Sequence, residues 1–183
     1  LSGGNSTYKV ELEWAPIEQV RFRGGYNRAV RAPNTLELFS APNVGLFSRG
    51  NGDPCGGAAP SFTLAQCALT GVVAADYGLI DNNPAGQYNQ RTSGNAALRP
   101  EKADTWTLGV VLNPIRNFTL SVDAYKISIK DSIGSLGANF IVDQCIATAN
   151  PFFCSKISRS AGSSLWTGDA FVDNPTLNLG KVE

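Results

Sequence analysis

The sequence predicts an all-β chain, a fragment of a transmembrane antiparallel β-barrel with two long disulfide-stapled extracellular loops and a short loop helix. Three observations carry that prediction. Four segments alternate apolar and polar residues, the joins between them are by turns very short and very long, and aromatic residues gather at both ends of the alternating segments. Alternation with a period of two belongs to a strand lying between an apolar and a polar medium.

The first segment is Thr7–Trp14, with Tyr8, Val10, Leu12 and Trp14 on one face and Thr7, Lys9, Glu11 and Glu13 on the other. After Ala15-Pro16-Ile17-Glu18 the pattern resumes, setting Val20, Phe22, Gly24 and Tyr26 against Arg21, Arg23, Gly25 and Asn27. The third run, Thr105–Leu112, opposes Trp106, Leu108, Val110 and Leu112 to Thr105, Thr107, Gly109 and Val111. A turn at Asn113–Asn117 leads to Phe118, Leu120, Val122 and Ala124, which alternate with Thr119, Ser121, Asp123 and Tyr125. This strand is expected to reach about Lys130, with its parity blurred at Tyr125-Lys126-Ile127. A fifth strand is expected near Leu177–Val182.

Joins at 15–19 and 113–117 are short, whereas those at about 28–104 and 131–176 are very long. A compact soluble domain rarely carries structureless loops beyond about 15 residues. Short periplasmic turns opposite long extracellular loops are how outer-membrane barrels are built. That arrangement puts Trp14 and Phe118 at a lower rim and Tyr8, Tyr26 and Trp106 toward an upper one, where a lipid interface selects amphipathic rings. The competing architecture is a secreted or cell-surface β-sandwich, an adhesin or carbohydrate-binding module, which shares the alternation. Within the second long join, Leu136–Ala149 is a helix candidate. Leu136, Phe140, Ile141, Ile146 and Ala147 would cover one face, and Asn150-Pro151 would end it.

Composition narrows the function. The 183 residues hold 15 basic and 15 acidic side chains, 43% hydrophobic residues and no histidine. Hydrophobic content with little charge argues against disorder. Without histidine the chain contains no Ser-His-Asp triad and no HExxH zinc site, and zero net charge removes the attraction on which nucleic-acid binders depend. No run of 18 apolar residues offers a transmembrane helix. The chain contains no methionine, so it is expected to be an internal or processed piece.

Cys55, Cys67, Cys145 and Cys154 allow three pairings, of which loop closure favours Cys55–Cys67 and Cys145–Cys154. Each bridge would contribute about 3 kcal/mol and would imply an oxidising compartment. On the polar strand faces, Lys9, Glu11, Glu13, Arg21, Arg23, Thr105, Thr107 and Asp123 are candidates to line a lumen. Glu11 and Glu13 could stand at a glycosidase-like separation of about 5–9 Å, but a mixed-charge, water-filled lumen explains them better. Asp81-Asn82-Asn83-Pro84 offers oxygen ligands without the spacing or distal Glu of an EF-hand. No catalytic residue, cofactor or metal site is expected.

Longer motifs add a resemblance. Arg31-Ala32-Pro33-Asn34-Thr35-Leu36-Glu37-Leu38-Phe39 resembles the R-A-P-x-x-x-E-L segment of TonB-dependent outer-membrane receptors, with Arg31, Pro33 and Glu37 as its motif residues. Asn95–Trp106 is similar to that family's N-x-x-L-x-P-E approach to the next strand, through Leu98, Pro100 and Glu101. Thr119–Ile127 with Asp131-Ser132-Ile133, and Asp143–Arg159 with its cysteines, resemble later parts of the same barrels. Physically, Pro33 forces the chain out of the strand. Asn34 or Thr35 can then cap a helical turn that packs Leu36 and Phe39 inward. Leu98 anchors the returning loop, and Glu101 and Lys102 lie at a polar mouth.

The resemblance implies that residues 1–183 are part of one receptor β-barrel domain whose plug, TonB box and most strands lie outside this sequence. It further implies a Gram-negative outer membrane and uptake of a scarce nutrient of the siderophore, cobalamin, haem or saccharide class. Expected partners are outer-membrane lipid, the small ligand and the TonB complex, the last acting through an absent N-terminal region. Neither nucleic acid nor enzymatic chemistry is expected.

Overall fold

The computed structural model describes residues 4–183. In chain order the elements are β1 (Tyr8–Ile17), β2 (Val20–Arg31), α1 (Thr35–Phe39), β3 (Asn43–Ser48), α2 (Leu64–Ala68), β4 (Gln87–Thr92), β5 (Glu101–Ile115), β6 (Phe118–Lys130), β7 (Ile133–Gly134), α3 (Ala138–Thr148), α4 (Pro151–Cys154), β8 (Ile157–Ser158), β9 (Phe171–Asp173) and β10 (Leu177–Asn178). Single 3₁₀ turns occupy Ala74–Asp76 and Ala161–Ser163. The chain is thus mostly β with a few short helices. It forms two compact units, one of residues up to Asn34 with 97–134 and 178–183, the other of residues 35–96 and 135–177.

The first unit is a four-stranded antiparallel sheet in the order β1-β2-β5-β6. Pairing is continuous from Val20↔Leu112 to Arg31↔Glu101, and on to Lys102↔Lys130 across β5 and β6. The parity of β6 therefore holds through Tyr125-Lys126-Ile127. β1, β2 and β5 outrun the lengths expected from alternation, while β6 ends at Lys130 as expected. The five-residue joins shrink to Glu18-Gln19 and Arg116-Asn117, because the strands continue past Pro16 and Pro114. Each proline falls where the ladder shifts register, between Trp14 and Ile17 and between Leu112 and Ile115. A proline has no N–H to give, so an irregularity is where a sheet accepts one. Asn117 completes its turn at φ 65°. The strand expected near Leu177–Val182 is short, β10 at Leu177–Asn178, and Val182 adds an isolated bridge to Ile129.

Neither face of this sheet is covered among the described residues. Val10, Leu12, Leu108 and Val122 are 65%, 72%, 67% and 59% exposed. A soluble sheet of this composition would bury such a face, at about 25 cal/mol per Å². The sheet does not close on itself within this chain.

The second unit carries the packed core. Phe47, Ile80, Tyr88, Ile141, Val142, Leu165 and Val172 are buried together with Cys55 and Cys67. The two long joins are therefore not structureless. β3 pairs antiparallel with β4, β4 parallel with β9, and β8 antiparallel with β9. Val172 sits at the hub, opposite Gln90 on one side and Ile157 on the other. Both disulfides, Cys55–Cys67 and Cys145–Cys154, are closed.

The helix α3 spans the expected segment but rotates its buried face. It buries Ala138, Ile141, Val142, Cys145 and Ile146, leaving Phe140 and Ala147 exposed. It stops one turn before the proline, where Ala149 adopts the left-handed conformation. Asn150 then caps α4, with Pro151 in its first turn, so this pair begins a helix rather than simply ending one. The turn α1 also differs from expectation. Leu36 and Phe39 point to solvent, 74% and 68% exposed. Backbone bonds hold the turn instead, from Gly94 N–H to the Ser40 carbonyl at 2.9 Å and from Asn95 N–H to the Glu37 carbonyl at 2.8 Å.

Candidate functional site

Strand parity places Lys9, Glu11, Glu13, Arg21, Arg23, Thr105, Thr107 and Asp123 on one face of the sheet. The register aligns Glu13, Arg23, Gly109 and Asp123 in one cross-strand row. Arg23 reaches across Gly109 to Asp123 with two parallel bonds, Nε to Oδ1 at 2.8 Å and Nη2 to Oδ2 at 2.5 Å. Gly109 is what permits this, since a Cβ there would stand 2.0 Å from Asp123 Oδ1. Lys9 pairs with Glu11 at 2.6 Å, and Arg21 with Glu13 at 3.8 Å. Glu11 and Glu13 are thus neutralised by cations rather than free for acid–base work. Val111 and Tyr125 share this face, as the alternation placed them, and Ile127 joins them.

Two of the motif residues, Arg31 and Glu101, meet at the loop end of the sheet. Arg31 Nε donates to Glu101 Oε2 at 2.6 Å, and Glu101 Oε1 accepts from the Ile133 N–H at 2.5 Å. Glu101 is therefore a strand residue that ties β2, β5 and β7 together. Leu98 is buried, as its anchoring role requires.

Sequence reasoning missed a charged cluster on the other, apolar face. Beyond the tilted rings of Tyr26 and Trp106, whose centroids lie 4.5 Å apart, Asp104 accepts from the Tyr26 hydroxyl at 2.6 Å. It also accepts from Arg28 at 2.7 and 3.1 Å. Lys130 Nζ is 4.0 Å from the same carboxylate, and Lys126 Nζ is 3.7 Å from Glu183. A hydrogen bond from Lys181, reinforced by the charge of Lys126, holds the Glu183 carboxyl below its ordinary range. Parity was the available signal, since Arg28, Lys102, Asp104, Lys126 and Lys130 are all even-numbered like the apolar residues of their strands.

The second unit also holds charge that composition could not foretell. Arg159 and Asp53 form a buried, doubly bonded pair at 2.5 and 3.0 Å. The remaining Arg159 donors reach the Thr70 hydroxyl at 3.1 Å and the Ser163 carbonyl at 2.7 Å. Asn82 Oδ1 accepts from the Asp53 N–H, and Asn83 Oδ1 from the Ala85 N–H, so these oxygens serve loop structure. On the surface, cations and rings alternate. Arg91 lies 4.0 Å over Phe171 and bonds Asp173, while Lys156 approaches the other Asp173 oxygen and lies 5.2 Å over exposed Phe152.

Comparison with known proteins gives the family and the fold. Residues 1–182 match the family described as TonB dependent receptor-like, beta-barrel. In fold the chain is similar to a ferric enterobactin receptor of Pseudomonas aeruginosa solved with enterobactin, at TM-score 0.55 and 15% identity, over 98% of this chain and 18% of that one. It is similar to the siderophore receptor PirA of Pseudomonas aeruginosa at TM-score 0.51 and 15% identity, over 97% of this chain and 23% of that one. The PirA receptor of Acinetobacter baumannii gives TM-score 0.50 and 16% identity, over 98% and 19%. No curated protein matches in sequence. The chain spans about a fifth of the length of these receptors.

Proposed function

The chain belongs to the TonB-dependent receptor β-barrel family, and on that premise we propose that it is part of an outer-membrane receptor that captures and imports a scarce nutrient. A siderophore is the ligand class most consistent with its structural neighbours. The observation that carries the reading is the contrast between the two units. The sheet leaves its apolar face uncovered, whereas the inserts between its strands fold around a core of their own. A strand of ten residues such as β1, at ~3.3 Å per residue and tilted about 40°, rises about 25 Å, the height of an apolar barrel band. The polar face, with Arg23 and Asp123 at its centre, then lines the lumen, and the disulfide-stapled unit lies outside the cell, its pairing of cations with rings serving ligand capture. TonB acts through a region beyond this chain. A soluble sandwich would need a second layer over Leu12, Leu108 and Val122, and the described residues contain none.

The test is uptake by the full-length receptor. In a strain lacking its other siderophore receptors, the intact gene should restore growth and ⁵⁵Fe accumulation from a catecholate complex under iron limitation, and loss of TonB should abolish both. A receptor found assembled in the outer membrane that moves no iron would overturn the siderophore reading. A protein recovered in the soluble fraction would overturn the barrel.

A further inference from the structure

We propose that the loop unit carries a binding site for a neutral sugar, in a cleft between the turn α1 and the adjoining ends of β3 and β4, separate from the capture of the imported nutrient.

The cleft has a volume of about 470 Å³, within the range of small-molecule sites. Leu36 and Ser40 come from α1 and the residue after it, and Asn43 and Thr92 are the paired ends of β3 and β4. Ser93 and Thr176 stand on the segments that follow β4 and β9. Hydrogen bonds tie these walls together. Gly94 N–H donates to the Ser40 carbonyl at 2.9 Å, Thr176 N–H to the Ser93 carbonyl at 3.0 Å, and Asn95 Nδ2 to the Thr176 carbonyl at 3.1 Å. The cleft is formed before a ligand arrives, so binding does not have to order its walls.

Its chemistry follows from what lines it and what does not. Five polar side chains face it, four hydroxyls and one amide, and no charged residue does. The Thr176 hydroxyl donates to the Ser93 carbonyl at 3.2 Å and the Thr92 hydroxyl to the Asn43 carbonyl at 3.5 Å, which leaves both oxygens able to accept. The Ser40 and Ser93 hydroxyls and the Asn43 amide bond to no protein group among the described residues, and they can both donate and accept. A sugar hydroxyl is likewise donor and acceptor at once. A carboxylate or phosphate would instead lose its hydration with no cation to replace it.

Leu36 supplies the apolar wall. It is 74% exposed, and Phe39, three residues on along the same side of the turn, is 68% exposed. The C–H face of a pyranose ring packs against such a side chain while its hydroxyls turn to the polar wall. The outward leucine and the uncommitted hydroxyls thus have one explanation.

The experiment uses the full-length receptor in mild detergent, titrated with maltotriose, cellotriose and the acidic trigalacturonate, with binding read by saturation-transfer NMR on the sugar. Saturable binding of at least one neutral trisaccharide at about millimolar concentration is expected, and none of trigalacturonate. Ser40→Ala with Ser93→Ala removes only hydroxyls that hold no part of the fold. It should weaken binding about tenfold, with heat-modifiable gel mobility, protease resistance of the loop unit and ⁵⁵Fe accumulation as in wild type. Native mass spectrometry of the receptor as isolated separates two sources: a hexose ligand already bound comes from the cell's own envelope, whereas a vacant receptor that fills on titration takes its sugar from outside. No binding of either neutral sugar up to about 10 mM, or equal binding of trigalacturonate, overturns the neutral-sugar assignment. Unchanged affinity in the double Ala variant overturns the cleft as its place. Each of these leaves the import reading standing, whereas a receptor that binds the sugar and moves no iron overturns the siderophore reading alone.

Discussion

Asp53 and Arg159, 106 residues apart in the chain, face each other with side chains 1% and 2% exposed, joined by two hydrogen bonds. The first comes from one long insert and the second from the other, so the pair cross-links the loop unit from within. Removing one partner leaves a buried charge without compensation, which costs about 3–5 kcal/mol. Arg159→Met should therefore expose segments 49–96 and 155–170 to protease in the assembled receptor, with heat-modifiable mobility unchanged. Protection equal to wild type would show that the pair does not hold the unit.

The two disulfides close short loops, with sequence separations of 12 and 9. Chain entropy assigns each about 3 kcal/mol. Non-reducing peptide mapping should recover Cys55 with Cys67 and Cys145 with Cys154. Reduction should raise amide exchange in the loop unit while sparing the sheet.

Charge placed on the lipid face should be costly and its neighbour tolerant. Val122 lies opposite Val110, four residues into its strand, whereas Leu120 is two residues from the start and so sits nearer the rim. Val122→Arg should cost about 2–4 kcal/mol and reduce heat-modifiable assembly, while Leu120→Arg should cost less. Ser121→Arg projects from the other face and should assemble as wild type. Equal loss for Val122→Arg and Ser121→Arg would contradict the assignment of faces.

Gly94 packs against the backbone of α1, where an added Cβ would stand 2.6 Å from the Ser40 nitrogen and 2.8 Å from the Phe39 nitrogen. Backbone does not yield as a flexible side chain does. Gly94→Ala should cost about 1–3 kcal/mol, as overpacking does, and protease should cut first at 35–41. A variant as resistant as wild type would show that α1 is not docked there.

The sheet was legible because its strands are long and each faces two media, so alternation recurs over whole strands from Tyr8 to Lys130. Its turns were misjudged because Pro16 and Pro114 read as breaks, although the strands pass through them at irregularities. The loop unit was legible in its cysteines, in α3 and in the short turn α1. Gln87–Thr92 reads as a polar segment, and its one fully buried side chain, Tyr88, finds partners in Phe47 and Asn82 that are distant or local by no periodic rule. Strands of two to six residues, pairing across separations from 13 to 82 positions, leave no repeat to detect. The capping box of Thr63 and Gln66 was the one local signal for α2. The charged cluster around Asp104 was hidden differently, since ionic residues on a nominally apolar parity show themselves only once register is known.

The packed interior of the loop unit bears on how quickly and how selectively a surface built on it responds. Side chains such as Phe152 and Arg91 stand on elements already fixed by folding, so an arriving molecule need not order the chain beneath them. That ordering otherwise subtracts about 0.5–1.5 kcal/mol for each side chain immobilised. Encounter then depends on shape and diffusion rather than on rearrangement. On the capture role proposed for this unit, a molecule of the wrong outline would meet a surface that does not remould itself to accept it, and discrimination would come from stiffness as much as from the identity of the contacting groups.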